Sequence, residues 1–97
     1  MKEYTDPNPL ERDFQAWLIK YAKRRGWLAQ KLVSQSANGW PDVLLLRAGR
    51  VILIEAKTPL GELSGNQRIR HREILAHGGE VYCFNHDDRV AVMRLLH

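Results

Sequence analysis

The sequence predicts an α/β fold in which one sheet is packed by helices, in the order α-β-β-β-α-β-α. Three observations carry this. An N-terminal segment repeats apolar residues at helical spacing, four short apolar runs follow it, and capping signals or glycines mark the joins. At 97 residues the chain is read as one domain spanning 1–97, and no internal repeat divides it. A core of this size is modest, so pairing with a second copy would help stability.

Asn8-Pro9-Leu10-Glu11 opens the first helix. Asn8 suits the N-cap, Pro9 the first helical position and Glu11 the capping box. Leu10, Phe14, Trp17, Leu18 and Tyr21 then form an apolar stripe, and Gly26 ends the helix after Lys23-Arg24-Arg25. Trp27 to Val33 reads as a strand, and Ser34 to Gly39 as a loop. Val43-Leu44-Leu45-Leu46 and Val51-Ile52-Leu53-Ile54 flank Arg47-Ala48-Gly49-Arg50 and read as a hairpin buried on both faces. Thr58 to Gly65 is a loop. Ser64 and Gln67 form a second capping box, opening a helix that runs to about His77 before Gly78-Gly79. Val81 to Phe84 is a short strand, and Asp87 or Asp88 caps a final helix, Arg89 to Leu96, with a strand over Val90 to Met93 as the alternative.

Composition narrows the function classes. Hydrophobic residues at 44% and charged residues at 27% are ordinary for a globular protein and exclude a disordered one. No apolar run approaches the ~20 residues that span a bilayer, so no membrane partner is expected. Met1 to Pro7 lacks the apolar stretch of a signal peptide. Cys83 is the single cysteine, which excludes an internal disulfide and a Cys-based zinc site within one chain. A reducing, cytoplasmic setting is the expectation. The net charge of +4 is compatible with nucleic acid without requiring it.

The hairpin carries the chemistry. With Ala48 and Gly49 as the turn, Arg47 faces Arg50, Leu44 faces Leu53, and Asp42 faces Glu55. Cross-strand partners share a face, with Cβ atoms about 4.5–5.5 Å apart. A three-residue turn would shift this register. Two carboxylates in that position repel, and desolvation at the end of apolar strands raises the cost. A divalent cation compensates, and oxygen ligands suit Mg²⁺ or Mn²⁺. Lys57, two residues after Glu55, falls on the same side of the strand. Glu11, three and seven residues before Phe14 and Leu18, is placed to join them. Taken singly, each residue has an ordinary use. Asp42 is also a turn residue after Pro41, Glu55 and Lys57 a solvated strand exit, and Glu11 and Gln67 capping-box partners.

Gly39-Trp40-Pro41-Asp42, with Glu55-Ala56-Lys57 after an apolar strand, resembles the PD-(D/E)xK nuclease signature. Gly61-Glu62-Leu63-Ser64-Gly65-Asn66-Gln67, leading to His77-Gly78-Gly79-Glu80-Val81-Tyr82, resembles the VRR-NUC branch of that superfamily. The similarity spans roughly Asn8 to Asn85. It implies a restriction-endonuclease-like core with a mixed central sheet flanked by helices. It implies Asp42 and Glu55 as principal metal ligands, completed by Glu11 and the Ala56 carbonyl. Lys57 would orient the attacking water and stabilise charge on the phosphate. Gln67 would support the site through Lys57 or water. The implied reaction is Mg²⁺- or Mn²⁺-dependent hydrolysis of a DNA phosphodiester.

Several basic residues suit a DNA partner. Lys20, Lys23, Arg24, Arg25 and Lys31 have no acid among them. Arg68, Arg70 and Arg72 crowd the start of the second helix, where spacing by two prevents all three from sharing one face. Trp40, beside Asp42, is placed to stack on a base, to cover the site or to pack in the core. His71, His77 and His86 show no metal-ligand spacing and read as surface residues. Small proteins of the VRR-NUC branch, from phages and bacteria, are implied to act as homodimers on four-way DNA junctions in repair. This chain therefore reads as a Holliday-junction resolvase. The alternatives are a flap-type or nonspecific DNA endonuclease, a non-catalytic DNA-binding module, and a small adaptor domain.

Overall fold

The computed structural model describes residues 9–32 and 39–97. Helix α1 (Pro9–Arg24) leads to strands β1 (Leu28–Lys31), β2 (Val43–Arg47) and β3 (Arg50–Ala56). Helix α2 (Gly65–Ala76), strand β4 (Glu80–Phe84), a 3-10 turn (His86–Asp88) and helix α3 (Arg89–Leu95) complete it. The sheet order is β1-β2-β3-β4, with antiparallel pairs except β3–β4, which is parallel. A parallel pair needs a crossover, and α2 supplies it. The expected N-cap Asn8, the end of the first strand at Val33 and the loop to residue 38 lie outside the described residues.

Helix α1 forms because Phe14, Leu18 and Ala22 recur on one face, and all three are fully buried. It stops where Gly26 takes a φ of +87°. There the Gly26 N–H bonds the Lys23 carbonyl and the Trp27 N–H the Ala22 carbonyl, both at 3.0 Å. That Schellman pattern satisfies carbonyls the helix would leave open. The same pattern of bonds, from Gly78 to Leu75 and Gly79 to Ile74, closes α2.

The β2–β3 hairpin turns through Ala48 at φ +51° and Gly49 at φ +82°. Positive φ at both central residues is the two-residue turn that matches strand twist. Its register pairs Arg47 with Arg50, Leu44 with Leu53 and Val43 with Ile54. Val43, Leu45, Ile52 and Ile54 face the core with α1, Val92 and Leu96. Burial on both faces is not what the hairpin shows. Leu44, Leu46 and Leu53 are only half-buried and Val51 is exposed, so the second face of the hairpin is incompletely covered.

Arg47 ties this core to the chain end. Its guanidinium lies 4.4 Å from the centre of the Trp27 ring and donates to the carbonyls of Arg25 (2.9 Å) and His97 (3.1 Å). The indole N–H of Trp27 donates to the Leu96 carbonyl at 3.1 Å. The last helix is entered differently from the expectation. Asn85 caps the 3-10 turn, accepting from the Asp87 N–H, and the Asp88 carboxylate accepts from the Asn85 N–H. Asp88 therefore makes no side-chain cap to α3.

Candidate active site

Continuing the hairpin register one step beyond Val43–Ile54 brings Asp42 to Glu55, where β2 and β3 splay. Asp42 no longer belongs to the ladder. Its carboxylate Oδ2 instead accepts the Ala56 N–H at 2.9 Å, capping the end of β3. Glu55 is only 3% exposed. Its Oε2 accepts from the Gln67 side-chain amide at 3.1 Å. Its Oε1 is buried with no hydrogen-bond partner among the described residues. The Ala56 N–H, on the residue whose carbonyl is expected as a metal ligand, thus fixes the Asp42 carboxylate.

Gln67 serves two purposes at once. Its Oε1 accepts from the Ser64 N–H at 2.8 Å, and the Ser64 hydroxyl accepts from the Gln67 N–H at 3.2 Å. The capping box is therefore complete. The amide nitrogen left over reaches Glu55 directly, not through Lys57 or water. A glutamine suits this position because one end accepts and the other donates.

Gly39 allows the approach. Its φ is +80°, and a Cβ there would collide with the Asn66 carbonyl and lie 2.9 Å from the Gln67 nitrogen. Only glycine lets the chain ahead of Asp42 lie against the first turn of α2. Leu32, Gly39, Trp40, Asp42, Ser64 and Gln67 line a cavity of about 340 Å³ at this end of the sheet.

The electrostatics follow from the geometry. Burial pushes the Glu55 carboxyl up to about 9, helped by the nearby Asp42 carboxylate. Lys57 opposes that shift and Glu11 adds to it. Glu11 is also pushed up, first by burial and then by Asp42, with Lys57 opposing. Glu11, Asp42, Glu55 and Lys57 thus share one electrostatic neighbourhood from three elements of the chain. These residues fit a divalent cation: the donors are hard oxygens, negative charge exceeds the one lysine, and a buried carboxylate oxygen lacks a partner. Among the described residues, no three His, Cys, Asp or Glu side chains converge into a ready metal cage.

The proposed DNA contacts separate into groups. Trp40 is 47% exposed, so it is not a core residue. The Arg70 guanidinium sits 4.8 Å from its ring centre and pairs with Glu73 at 2.8 Å. These three help to line a second cavity of about 440 Å³, which shares Trp40 with the one lined by Asp42. Arg68 and Arg72, one helical turn apart, line a different notch, and Arg68 makes a long 3.5 Å contact with Glu62. Lys31 is exposed at the end of β1, opposite Val43.

His71 is a correction. It is not a surface residue but is 9% exposed, and its Nε2 has no partner among the described residues. Burial pushes its pKa down, Asp42 opposes this and Lys57 reinforces it. The available signal was helical spacing: His71 lies four residues after Gln67 and three before the buried Ile74.

No family model and no curated protein matches this sequence. Solved structures do match. One, described as a VRR_NUC domain, aligns at a TM-score of 0.78 with 22% identity, covering 92% of this chain and 96% of that one. At that identity the likeness establishes the fold, including the order of helices and strands around Asp42 and Glu55. The chain has the fold of a VRR_NUC domain, a restriction-endonuclease-like α/β arrangement.

Proposed function

We propose that this chain is a divalent-metal-dependent, structure-selective DNA endonuclease that acts as a homodimer on four-way Holliday junctions. The observation that carries the reading is the meeting of Asp42 with the buried, partly unpartnered Glu55, in electrostatic reach of Lys57. Two like charges placed there lower stability, and a cation with a phosphate substrate gives them a use.

In this reading Asp42 and Glu55 hold Mg²⁺ or Mn²⁺. A cation there neutralises charge at the phosphate and lowers the pKa of water. Asp42, already fixed by the Ala56 N–H, keeps one oxygen for this purpose. Gln67 occupies Oε2 of Glu55 and leaves Oε1 for the ligand. Lys57 donates hydrogen bonds to the attacking water and to a phosphate oxygen. A phosphorus–oxygen bond of the strand breaks as the bond to the water oxygen forms. Arg68, Arg72 and Lys31 contact backbone phosphates, and Trp40 with Arg70 offers a face for a base. One chain supplies one site, whereas a junction needs two opposed nicks, so a two-fold dimer suits the substrate.

The test is cleavage of end-labelled four-way junction, splayed arm, 5′ flap, single strand and duplex, with Mg²⁺, Mn²⁺ or EDTA. Paired nicks confined to the junction, lost in Lys57→Ala while junction binding persists, are expected. Cutting of flaps or of all substrates alike retains the nuclease and discards the resolvase. Binding without any cutting leaves a DNA-binding module.

A further inference from the structure

The cavity of about 440 Å³ is not used by the hydrolysis. Trp40, Arg70, Glu73, Ile74, His77 and Gly79 line it, and Trp40 also lines the cavity that holds Asp42. Its volume lies among those of clefts that take one small organic ligand, about 300–1,000 Å³. The half-exposed Trp40 ring gives it an aromatic surface, and the buried Ile74 an apolar one. His77 is fixed at the end of α2, where its Nδ1 donates to the Glu73 carbonyl at 2.8 Å.

Arg70 and Glu73 decide the kind of ligand. The guanidinium lies 4.8 Å from the Trp40 ring centre and donates through Nη1 to Glu73 Oε1 at 2.8 Å. A phosphate pocket turns its arginine toward the anion. Here a carboxylate takes that donor and itself repels an anion. Glu73 Oε2 has no hydrogen-bond partner among the described residues, so the cavity offers a charged acceptor. An aromatic face, an apolar side and one acceptor suit a neutral planar ring that carries an amino group.

We propose that this cavity is a base-reading subsite: one unpaired base of the bound strand stacks on Trp40 and donates its exocyclic amino group to Glu73 Oε2. Thymine shows a carbonyl where cytosine shows that amino group, so the subsite favours cytosine over thymine. Trp40 precedes Asp42 by two residues, which puts the base close to the cleaved phosphate. This deepens the nuclease reading and rests on it for the identity of the ligand strand.

The experiment measures binding of fluorescein-labelled deoxycytidine, thymidine and abasic hexanucleotides to the full chain in EDTA. Salt dependence, melting temperature and cleavage of a four-way junction in Mn²⁺ are read beside it. Wild type should bind the deoxycytidine hexamer about 5–150-fold more tightly than the abasic one, the worth of a base–aromatic stack. It should prefer deoxycytidine to thymidine about tenfold, the worth of one hydrogen bond to a charged group. Trp40→Ala should erase the first preference and Trp40→Phe keep most of it, with the salt slope unchanged because no phosphate contact is lost. Glu73→Ala should erase only the second, whatever the freed Arg70 adds to the affinity for all three hexamers. Equal binding of the deoxycytidine and abasic hexamers by folded wild type, or binding of none, overturns the subsite. A preference for deoxycytidine over thymidine that survives in Glu73→Ala overturns the role of its carboxylate. Free deoxycytidine monophosphate competing as tightly as the hexamer overturns the assignment to a strand. A preference that depends on Trp40 in a chain that cuts no DNA keeps the subsite and refutes the nuclease reading. Junction cleavage without any base preference refutes the subsite alone.

Discussion

Replacing Glu55 with Gln should stabilise the metal-free protein while removing its response to metal. Glu55 is 3% exposed, one oxygen has no partner, and Asp42 and Glu11 both disfavour its charge. Leaving a buried polar group unsatisfied costs about 1–3 kcal/mol, and more for a charged one. Solvent screening at the open end of the sheet reduces this, so a gain of about 1–2 kcal/mol is expected at alkaline pH. For a chain of this length that corresponds to about 4–16 °C in melting temperature. The sign with pH follows from the raised carboxyl. Its folded pKa of about 9 exceeds the ordinary value of 4.5, so the protonated form is favoured by folding. That contribution is fully present below the unfolded value and is lost as pH rises through the folded one. Wild type should therefore lose stability relative to Glu55→Gln between pH 4.5 and about 9, and the two should converge at the acid end. The assay is thermal unfolding in EDTA across that range, repeated with Mn²⁺. Bound metal should raise the wild-type melting temperature, by about 2.7 kcal/mol of stability at a hundredfold excess over Kd, and leave the variant unmoved. A variant less stable than wild type at pH 8.5, or a gap that shrinks as pH rises, would refute the reasoning.

Two further substitutions test the frame around the site. Gly39→Ala forces a Cβ against the Asn66 carbonyl at a φ of +80°. It should cost about 2 kcal/mol or more in urea denaturation and weaken Mn²⁺ binding with it, because Gln67 must move. Arg47→Ala removes donors to three carbonyls, those of Arg25, Leu96 and His97, and the contact with Trp27. A loss of about 1–2 kcal/mol is expected, read as a lower urea midpoint with unchanged slope, and metal binding should be unaffected.

Much of the fold is legible because its signals are local. Two continuous runs of branched apolar residues mark the hairpin, the Ala48-Gly49 turn fixes its register, and Schellman glycines mark two helix ends. Register then carries information over distance: pairing Arg47 with Arg50 places Asp42 toward Glu55 without any knowledge of tertiary packing. What eluded the sequence depends on packing between elements. Half-exposure of Leu44, Leu46 and Leu53 depends on how much of that face other elements cover, which strand composition does not encode. Burial of His71 likewise arises from tertiary packing, that of α2. Trp40 is exposed because Gly39 and Pro41 take the buried positions on either side of it. The two uses of Gln67 looked like alternatives in sequence, and geometry makes them compatible.

That compatibility explains how so short a chain can position a strained pair of carboxylates. The sheet holds only the Glu55 backbone, paired with Cys83 of β4 and brought toward Asp42 by the hairpin register, and leaves its carboxylate free to turn. Its orientation comes from α2, through Gln67, and the orientation of Gln67 comes from Ser64 through the capping box. The start of α2 is in turn pressed by Gly39, which lies three residues before Asp42. The constraint is therefore a closed loop: Asp42 to the Ala56 N–H, Glu55 to Gln67, Gln67 to Ser64, and the first turn of α2 back to Gly39. Each link uses a side chain or backbone group that also serves local structure, such as a strand end, a helix cap or a turn. A small domain has little core with which to hold repelling charges together. Making the helix cap and the site support the same residue secures both with one side chain, so disruption of Ser64 should disturb Glu55 although Ser64 itself does not bond it.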